Sequence, residues 1–259
     1  MNRVCPTSDT ALVTGGAGGI GLAIASELAN RGMRLVVADL ALPAAQAAVQ
    51  RLGGEGHLAV ALDVSQEASV RKAFEEAEAQ CGPIRVLVSC AGLLLPGPNG
   101  TRASLFDIDV ENWDRTFAVN ARGAFLCCQR FMLLRRSTPV PHARVITISS
   151  VAAQLGGYRS SAAYVSSKSA ILGLTKAVAR EGAEFGITAN AVAPGLIDAP
   201  MLHQATQGAR VDDKSFELVP ARRLGTAGEV AGAVAFLADA STDYVTGSVI
   251  DVNGGYRMQ

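Results

Sequence analysis

Tyr164 and Lys168 stand four residues apart in Tyr-Val-Ser-Ser-Lys, within a stretch (162–185) rich in Ala, Ile, Leu and Val. That stretch carries helical spacing, so the two side chains share one helix face as neighbours. The pairing has a chemical use. A phenol of pKa about 10 must lose roughly two to three units, or about 3–4 kcal/mol, to act as a base near neutrality. One ammonium at ~4 Å supplies up to about 4 kcal/mol at an effective dielectric of 20. Tyr-x-x-x-Lys is nevertheless common at the edges of amphipathic helices, and by itself it identifies nothing.

A second constellation lies near the start, in Ala-Leu-Val-Thr-Gly-Gly-Ala-Gly-Gly-Ile-Gly (Ala11–Gly21). A short apolar strand meets a glycine cluster, and helical spacing follows from Leu22. Without Cβ atoms the backbone can turn tightly and present helix N-terminal N–H groups to a pyrophosphate. Gly16, Gly18 and Gly21 satisfy G-x-G-x-x-G, while Thr14, Gly15, Gly19, Ile20 and Gly21 satisfy T-G-x-x-x-G-I-G. A second strand, Leu35–Ala38, ends at Asp39, about 20 residues on, where a ribose-binding acid belongs. Together these predict a dinucleotide site.

The elements that must position these residues alternate along the chain. Helices are expected over 43–52, 66–80, 112–135, 162–185 and 227–238. Strands are expected over 58–62, 84–89, 144–148, 188–192 and 248–252. This alternation predicts an α/β fold: a doubly wound, Rossmann-type parallel sheet of seven strands with helices on both faces. No shift in composition marks a boundary, so residues 1–259 are read as a single domain. Two segments break the rhythm and are read as substrate loops. One is 93–109, with Pro96 to Gly100, a ligand loop or a solvated excursion; the other, 200–220, is read as a mobile flap. The apolar circumference of 162–185 predicts burial on more than one side, against a partner subunit as well as the sheet. With the aromatic helix 112–135 and the closing Gly-Tyr-Arg-Met-Gln, it makes a homotetramer the expected assembly.

Composition narrows the function classes. Lys and Arg number 23, Asp and Glu 23, so no net charge draws the chain to nucleic acid or an anionic membrane. Hydrophobic residues make up 49%, enough for a substantial core. No apolar run reaches the ~18–20 residues of a membrane span, and the polar first ten residues do not read as a secretory signal. Cys5, Cys81, Cys90, Cys127 and Cys128 contain no C-x-x-C, which favours buried thiols in a reducing cytoplasm over a disulfide framework or a metal site. His57, His142 and His203 are scattered and are assigned no chemistry.

Further motifs occur in order: Asp63-Val64, Cys90-Ala91-Gly92, Asn120 in Val-Asn-Ala-Arg-Gly, Ile-Ser-Ser with Ser149 and Ser150, and Pro194-Gly195. With T-G-x-x-x-G-I-G and Y-x-x-x-K, the chain from Ala11 to Tyr256 resembles the short-chain dehydrogenase/reductase family in its compact, single-domain form. The resemblance implies catalytic roles for Asn120, Ser150, Tyr164 and Lys168. Tyr164 would be the acid/base, Ser150 would hydrogen-bond the substrate oxygen, and Asn120 would anchor a water leading from Lys168 to solvent. Lys168 would hold the nicotinamide ribose and lower the tyrosine pKa. Gly15, Gly18, Gly19, Ile20, Gly21, Asp39, Cys90, Ala91, Gly92 and Pro194 would bind cofactor. Asp63 and Val64 would meet adenine, and Ile197 the carboxamide.

Three departures stand out. Ser150 lies one residue farther from the tyrosine than is common, which leaves Ser149 a weaker candidate; Tyr158, with no lysine four residues on, does not compete. Cysteine replaces the usual asparagine at Cys90. Ala199 stands where many members carry a threonine.

Asp39 argues for NAD. A 2′-phosphate beside it would meet like charge, costing about 4 kcal/mol at ~4 Å and dielectric 20 before screening, and no base in Gly15–Gly19 or Leu40–Leu42 offsets it. The expected activity is NAD-dependent oxidation of a secondary alcohol, hydroxysteroid-like or polyol-like. The alternatives are an NADPH-dependent 3-oxoacyl-[acyl-carrier-protein] reductase, which Phe185 at a usually basic docking position disfavours, and a non-catalytic dinucleotide sensor.

Overall fold

The computed structural model describes residues 9–97, 103–157, 160–205 and 217–258. The chain opens with β1 (Thr10–Thr14), α1 (Gly19–Asn30), β2 (Arg34–Asp39), α2 (Leu42–Val49), β3 (Leu58–Ala61), α3 (Glu67–Cys81) and β4 (Ile84–Ser89). Next come α4 (Val110–Phe117), a π turn (Ala118–Arg122), α5 (Gly123–Ser137), β5 (Ala143–Ile148), α6 (Ala152–Leu155) and α7 (Ala162–Gly182). It closes with β6 (Ile187–Pro194), β7 (Ile197–Asp198), α8 (Pro200–Ala205), β8 (Gly225–Thr226), α9 (Ala227–Ala238) and β9 (Val249–Val252).

Seven parallel strands pair in the order β3-β2-β1-β4-β5-β6-β9, the doubly wound sheet that the alternation predicts. Strand side chains alternate between two cores. Ala11 and Val13 join the layer of α1, α2 and α9, while Leu12 joins that of α3, α5 and α7. Burial on both faces explains why these strands read as apolar runs. The winding direction reverses between β1 and β4, and the crevice at their carboxyl ends is where such sheets collect ligands. Thr14 Oγ1 spans that crevice, accepting from the N–H groups of Cys90 and Ala91, each at 3.0 Å.

Local differences from the sequence expectations have physical causes. The expected helix 112–135 starts earlier, because Asp109 caps it (Asn112 N to Asp109 Oδ1, 2.6 Å), and is divided by the π turn around Asn120. The last turn of the expected helix 162–185 tightens to 3₁₀ over Ala183–Phe185. Much of the apolar circumference of α7 is covered within the chain, by α4, the π turn, α5, α6 and β6. Large exposed apolar side chains sit instead before and along α4 and α5: Leu105, Phe106, Val110, Trp113, Phe125 and Leu133. In the 93–109 segment, Pro98–Arg102 lie outside the described residues. The expected flap is α8 and a turn at its two ends, with 206–216 likewise outside. The short pair β7–β8 joins Ile197 to Gly225 and Asp198 to Thr226 at its base, a feature the sequence pattern did not predict.

Candidate active site

Glycines at the end of β1 and the acid at the end of β2 meet on one cavity of about 830 Å³. A side chain at Gly21 would strike the Gly15 carbonyl at 2.1 Å, so the turn into α1 needs glycine there. Gly18 faces open space, with nothing within 4 Å of where a Cβ would lie, and no side chain caps the N-terminus of α1. Its unpaired N–H groups and dipole suit an anion. Asp39 lines the same cavity, Oδ2 accepting from Ala17 N at 3.1 Å, so the acid is fastened to the glycine turn. These features fit a dinucleotide: an open cradle for its pyrophosphate and a carboxylate for a ribose.

Toward the middle of the sheet, β5 delivers Ser149 and Ser150, and α7 presents Tyr164 and Lys168. Ser161 caps α7 by accepting from Tyr164 N (3.3 Å), which starts the helix where Tyr164 and Lys168 both face inward. The hydroxyls of the two serines have different partners. Ser149 Oγ donates to the Lys168 carbonyl at 2.9 Å and is spent on structure. Ser150 Oγ accepts from Ala152 N at 3.1 Å, and both serines line the cavity. Lys168 is 3% exposed, and its Nζ donates to the Ile148 carbonyl at 2.9 Å and lies 5.9 Å from the Tyr164 ring centre.

Burial dominates the electrostatics. It pushes the Lys168 ammonium down to about 8, against a smaller upward pull from the neighbouring Cys90 thiol. It raises the Tyr164 phenol, with the Ser150 hydrogen bond working the other way and Cys90 adding to the rise. The Cys90 thiol goes up to about 11 by burial, with Lys168 lowering and Asp39 raising it. Lys168 is not among the causes that shift Tyr164 in the protein alone, where desolvation prevails over the Ser150 hydrogen bond.

Asn120 is fully buried on the π turn, where the widened backbone turns its amide toward the end of β4. Oδ1 accepts from Leu93 N (2.8 Å), and Nδ2 donates to Leu93 O (2.9 Å) and Ser167 Oγ (3.0 Å). It thus grips the backbone just past Gly92. A Cβ on Gly92 would lie 3.1 Å from Lys168 Nζ and 3.3 Å from Asn120 Oδ1, which puts both within reach of a single water.

Gly15, Gly19, Ile20, Cys90, Ala91, Pro194, Ile197 and Ala199 also line the cavity, as does Leu94 of the 93–109 segment. Asp63 and Val64 do not. The Asp63 carboxylate accepts from Ser65 N (2.9 Å) and Ser65 Oγ (2.7 Å), and buried Val64 packs against Gly123. Tyr158 lies outside the described residues. Sequence reasoning missed Thr14 as a brace, although it quoted Thr14 in the glycine motif. The same reasoning does not single out Ser167, which holds Asn120, or Tyr256, which it places only in the closing segment but which lines the cavity.

This geometry has relatives. A family model described as Enoyl-(Acyl carrier protein) reductase matches residues 15–257. The (3R)-3-hydroxyacyl-CoA dehydrogenase of Canis lupus familiaris is 37% identical over 262 residues, covering 97% of each chain. The 3-oxoacyl-[acyl-carrier-protein] reductase MabA of Mycobacterium avium is 36% identical over 251 residues, covering 97% of this chain and 91% of its own. A crystal structure of a short-chain type dehydrogenase/reductase from Mycobacterium marinum superposes with a TM-score of 0.89 at 28% identity, over 98% of this chain and 97% of its own. The two curated relatives are named for oxidation or reduction at a CH–OH or carbonyl carbon. With the likeness running over nearly its full length, the chain belongs to the short-chain dehydrogenase/reductase family and is an oxidoreductase acting on CH–OH groups.

Proposed function

We propose that this enzyme is an NAD-dependent dehydrogenase of apolar secondary alcohols, interconverting alcohol and ketone with Tyr164 as the acid/base. The observation that carries the cofactor choice is Asp39 on the cavity wall, where Lys168 is the sole lysine or arginine among the described lining residues. Lys168 stands at the catalytic cluster, not beside Asp39. Nothing there offsets repulsion of a 2′-phosphate, whereas the carboxylate can accept from both ribose hydroxyls. The apolar character rests on Leu94, Val151, Leu155, Met201, Leu202 and Leu218, which suit an alkyl or acyl chain better than a polyol.

Bound NAD would accept a hydride from the carbinol carbon. The chain's own residues manage the proton. Ser150 donates to the substrate oxygen, and Tyr164 Oη takes the hydroxyl proton in oxidation or gives it in reduction. Burial keeps Tyr164 protonated, the form that serves ketone reduction. For oxidation a positive charge at about 6 Å supplies about 3 kcal/mol at dielectric 20, roughly two pKa units toward the phenolate. Lys168 provides it while protonated and would also hold the ribose of the bound cofactor. A water between Lys168 and Asn120 connects the pair to solvent.

The second reading, an NADPH-dependent 3-oxoacyl-[acyl-carrier-protein] reductase, is favoured by the likeness to MabA and opposed by Asp39. Calorimetric titration distinguishes them: NADH is expected to bind at least about tenfold tighter than NADPH, some 1.4 kcal/mol. Equal affinity, or preference for NADPH, would overturn the NAD reading. NAD-linked oxidation of hydroxysteroids, polyols and 3-hydroxyacyl thioesters would then rank substrates, with polyols expected last. For assembly we propose a homotetramer, on the exposed apolar side chains of α4 and α5 and the small exposed residues Ala170, Gly173 and Ala177 of α7. A monomer by light scattering at micromolar concentration would refute it.

A further inference from the structure

Tyr256 lies only a few residues from the end of the chain, yet it lines the cavity. The segment after β9 is folded back by tethers of its own. Asn253 is buried: its Oδ1 accepts from Gly255 N (2.9 Å), its carbonyl from Tyr256 N (3.1 Å), and its Nδ2 donates to the Arg257 carbonyl (3.1 Å). Gly254 O accepts from Ala221 N (3.0 Å), and a Cβ on Gly255 would stand 2.9 Å from the Pro220 ring. The tail therefore packs on the backbone that follows Leu218.

Its other side is held by a closed triangle of side chains. Arg257 Nη1 donates to Asp251 Oδ2 on β9 at 2.9 Å, an ion pair whose side chains are 24% and 17% exposed. The Gln154 amide of α6, oriented by its partners, donates to Asp251 Oδ1 and accepts from Arg257 Nη1, both at 3.0 Å. α6 begins two residues after Ser150 and supplies Ala152 and Leu155 to the cavity wall. Tyr256 thus sits in a tail held both to α6 and to the backbone after Leu218, beyond the last strand of the sheet and remote from Asp39 on β2.

We propose that Tyr256 is a specificity-determining residue, packing its ring against the chain of an apolar substrate, and that Arg257, Asp251 and Gln154 are positioning residues that hold it there. This rests on the reading of the cavity as an alcohol/ketone site. The ion pair joins the last strand, the tail and the helix beside Ser150, so loosening it moves the substrate wall while the glycine turn and Asp39 stay in place.

The test compares 3-oxodecanoyl- and 3-oxobutanoyl-N-acetylcysteamine by steady-state kinetics and by calorimetry with NADH present. In Tyr256→Ala the ratio of KM for the long to the short thioester is expected to rise about tenfold, with kcat changed less than threefold and NADH affinity within twofold. Arg257→Met should reproduce the KM shift and Arg257→Lys should restore at least half of it, a rescue that a role in folding alone would not show. An unchanged chain-length ratio in Tyr256→Ala overturns the proposal, as does an Arg257→Met variant that melts earlier but discriminates normally. Turnover with one profile in all variants would sink this inference and leave the dehydrogenase reading standing. Tyr256-dependent binding of the long thioester without any turnover would do the reverse.

Discussion

At the amino-terminal end of the strands, Arg135 and Arg144 are buried among carboxylates and carbonyls, whereas at the carboxyl-terminal end Lys168 is buried against a single carbonyl. Arg135 donates to Ile84 O (2.8 Å) and pairs with Glu78. Arg144 reaches Asp239 O (3.1 Å), Ala240 O (3.3 Å) and Asp243 Oδ1 (2.5 Å), and Arg85 adds Ala238 O (3.1 Å). Arg85 and Arg144 thereby satisfy carbonyls at the carboxyl end of α9, where cations are favourable. Burial lowers the Arg135 guanidinium and Glu78 pulls it back up, yet an arginine stays charged throughout. No carboxylate pairs with Lys168 among the described residues, and its pKa falls to about 8. One end compensates its buried charge locally. The other leaves it uncompensated, as expected where a ligand is to meet it.

That contrast can be broken most decisively at Tyr164. Tyr164→Phe keeps the ring and removes the proton carrier, so kcat should fall by about 10²–10⁴-fold with NADH affinity nearly unchanged. Near-normal turnover, with Ser150→Ala inactive instead, would show that the uncompensated lysine serves some other group. In the intact enzyme oxidation should rise with pH along an apparent pKa below 10 that belongs to the coupled Tyr–Lys–cofactor unit. Loss of the Lys168 charge above about 8 limits how far that rise continues.

Arg135→Met attacks the compensated end. Breaking a buried pair costs about 3 kcal/mol, which for a chain of this size lowers Tm by roughly 6–12 °C. Calorimetry should show that loss while kcat per folded enzyme holds. A collapse of kcat without a change in Tm would erase the distinction between the two ends.

Lys168→Met should give the smallest effect on stability, with the opposite sign. The folded-state pKa of Lys168 lies below its unfolded value of 10.5, so between about 8 and 10.5 the unfolded chain binds more protons and wild-type stability rises with pH. Below 8 the full penalty of the buried ammonium is present. The variant should then melt higher by about 1 kcal/mol, after allowing for the Ile148 carbonyl that loses its donor. This advantage should vanish as the pH approaches 10.5, while activity is lost and cofactor binding weakens at every pH. A variant that melts lower at pH 7 would mean that the lysine is compensated after all.

Much of the fold was legible because parallel strands buried on both faces must be apolar runs, and the helices between them must carry a period near 3.6. Leu12, Val36 and Leu87 are examples, alternating with neighbours that face the other core. Legibility weakened where one backbone contact decides the outcome. The π turn at Asn120 has no signature in composition, since it exists to satisfy Leu93, 27 residues away. Ser149 and Ser150 are alike in sequence and both line the cavity; they differ because one hydroxyl donates to Lys168 O and the other accepts from Ala152 N. For α7 a sequence shows how much of the helix is apolar but not how much of it the chain's own α4, α5 and α6 cover besides the sheet.

The amino-acid sequence by itself determined the strand–glycine–helix turn, the acid at the end of β2, and the Tyr164–Lys168 face, because local geometry suffices for each. A missing Cβ, a strand end and a four-residue spacing act within about one element. Only the tertiary structure decided that Asp63 accepts from Ser65, that Thr14 braces the end of β4, and that Tyr256 lines the cavity. Those outcomes depend on hydrogen bonds between segments distant in the chain, such as Cys90 N to Thr14 Oγ1 and Arg257 to Asp251 beside Gln154. A buried polar group must find a partner somewhere, but the sequence does not say where that partner will be.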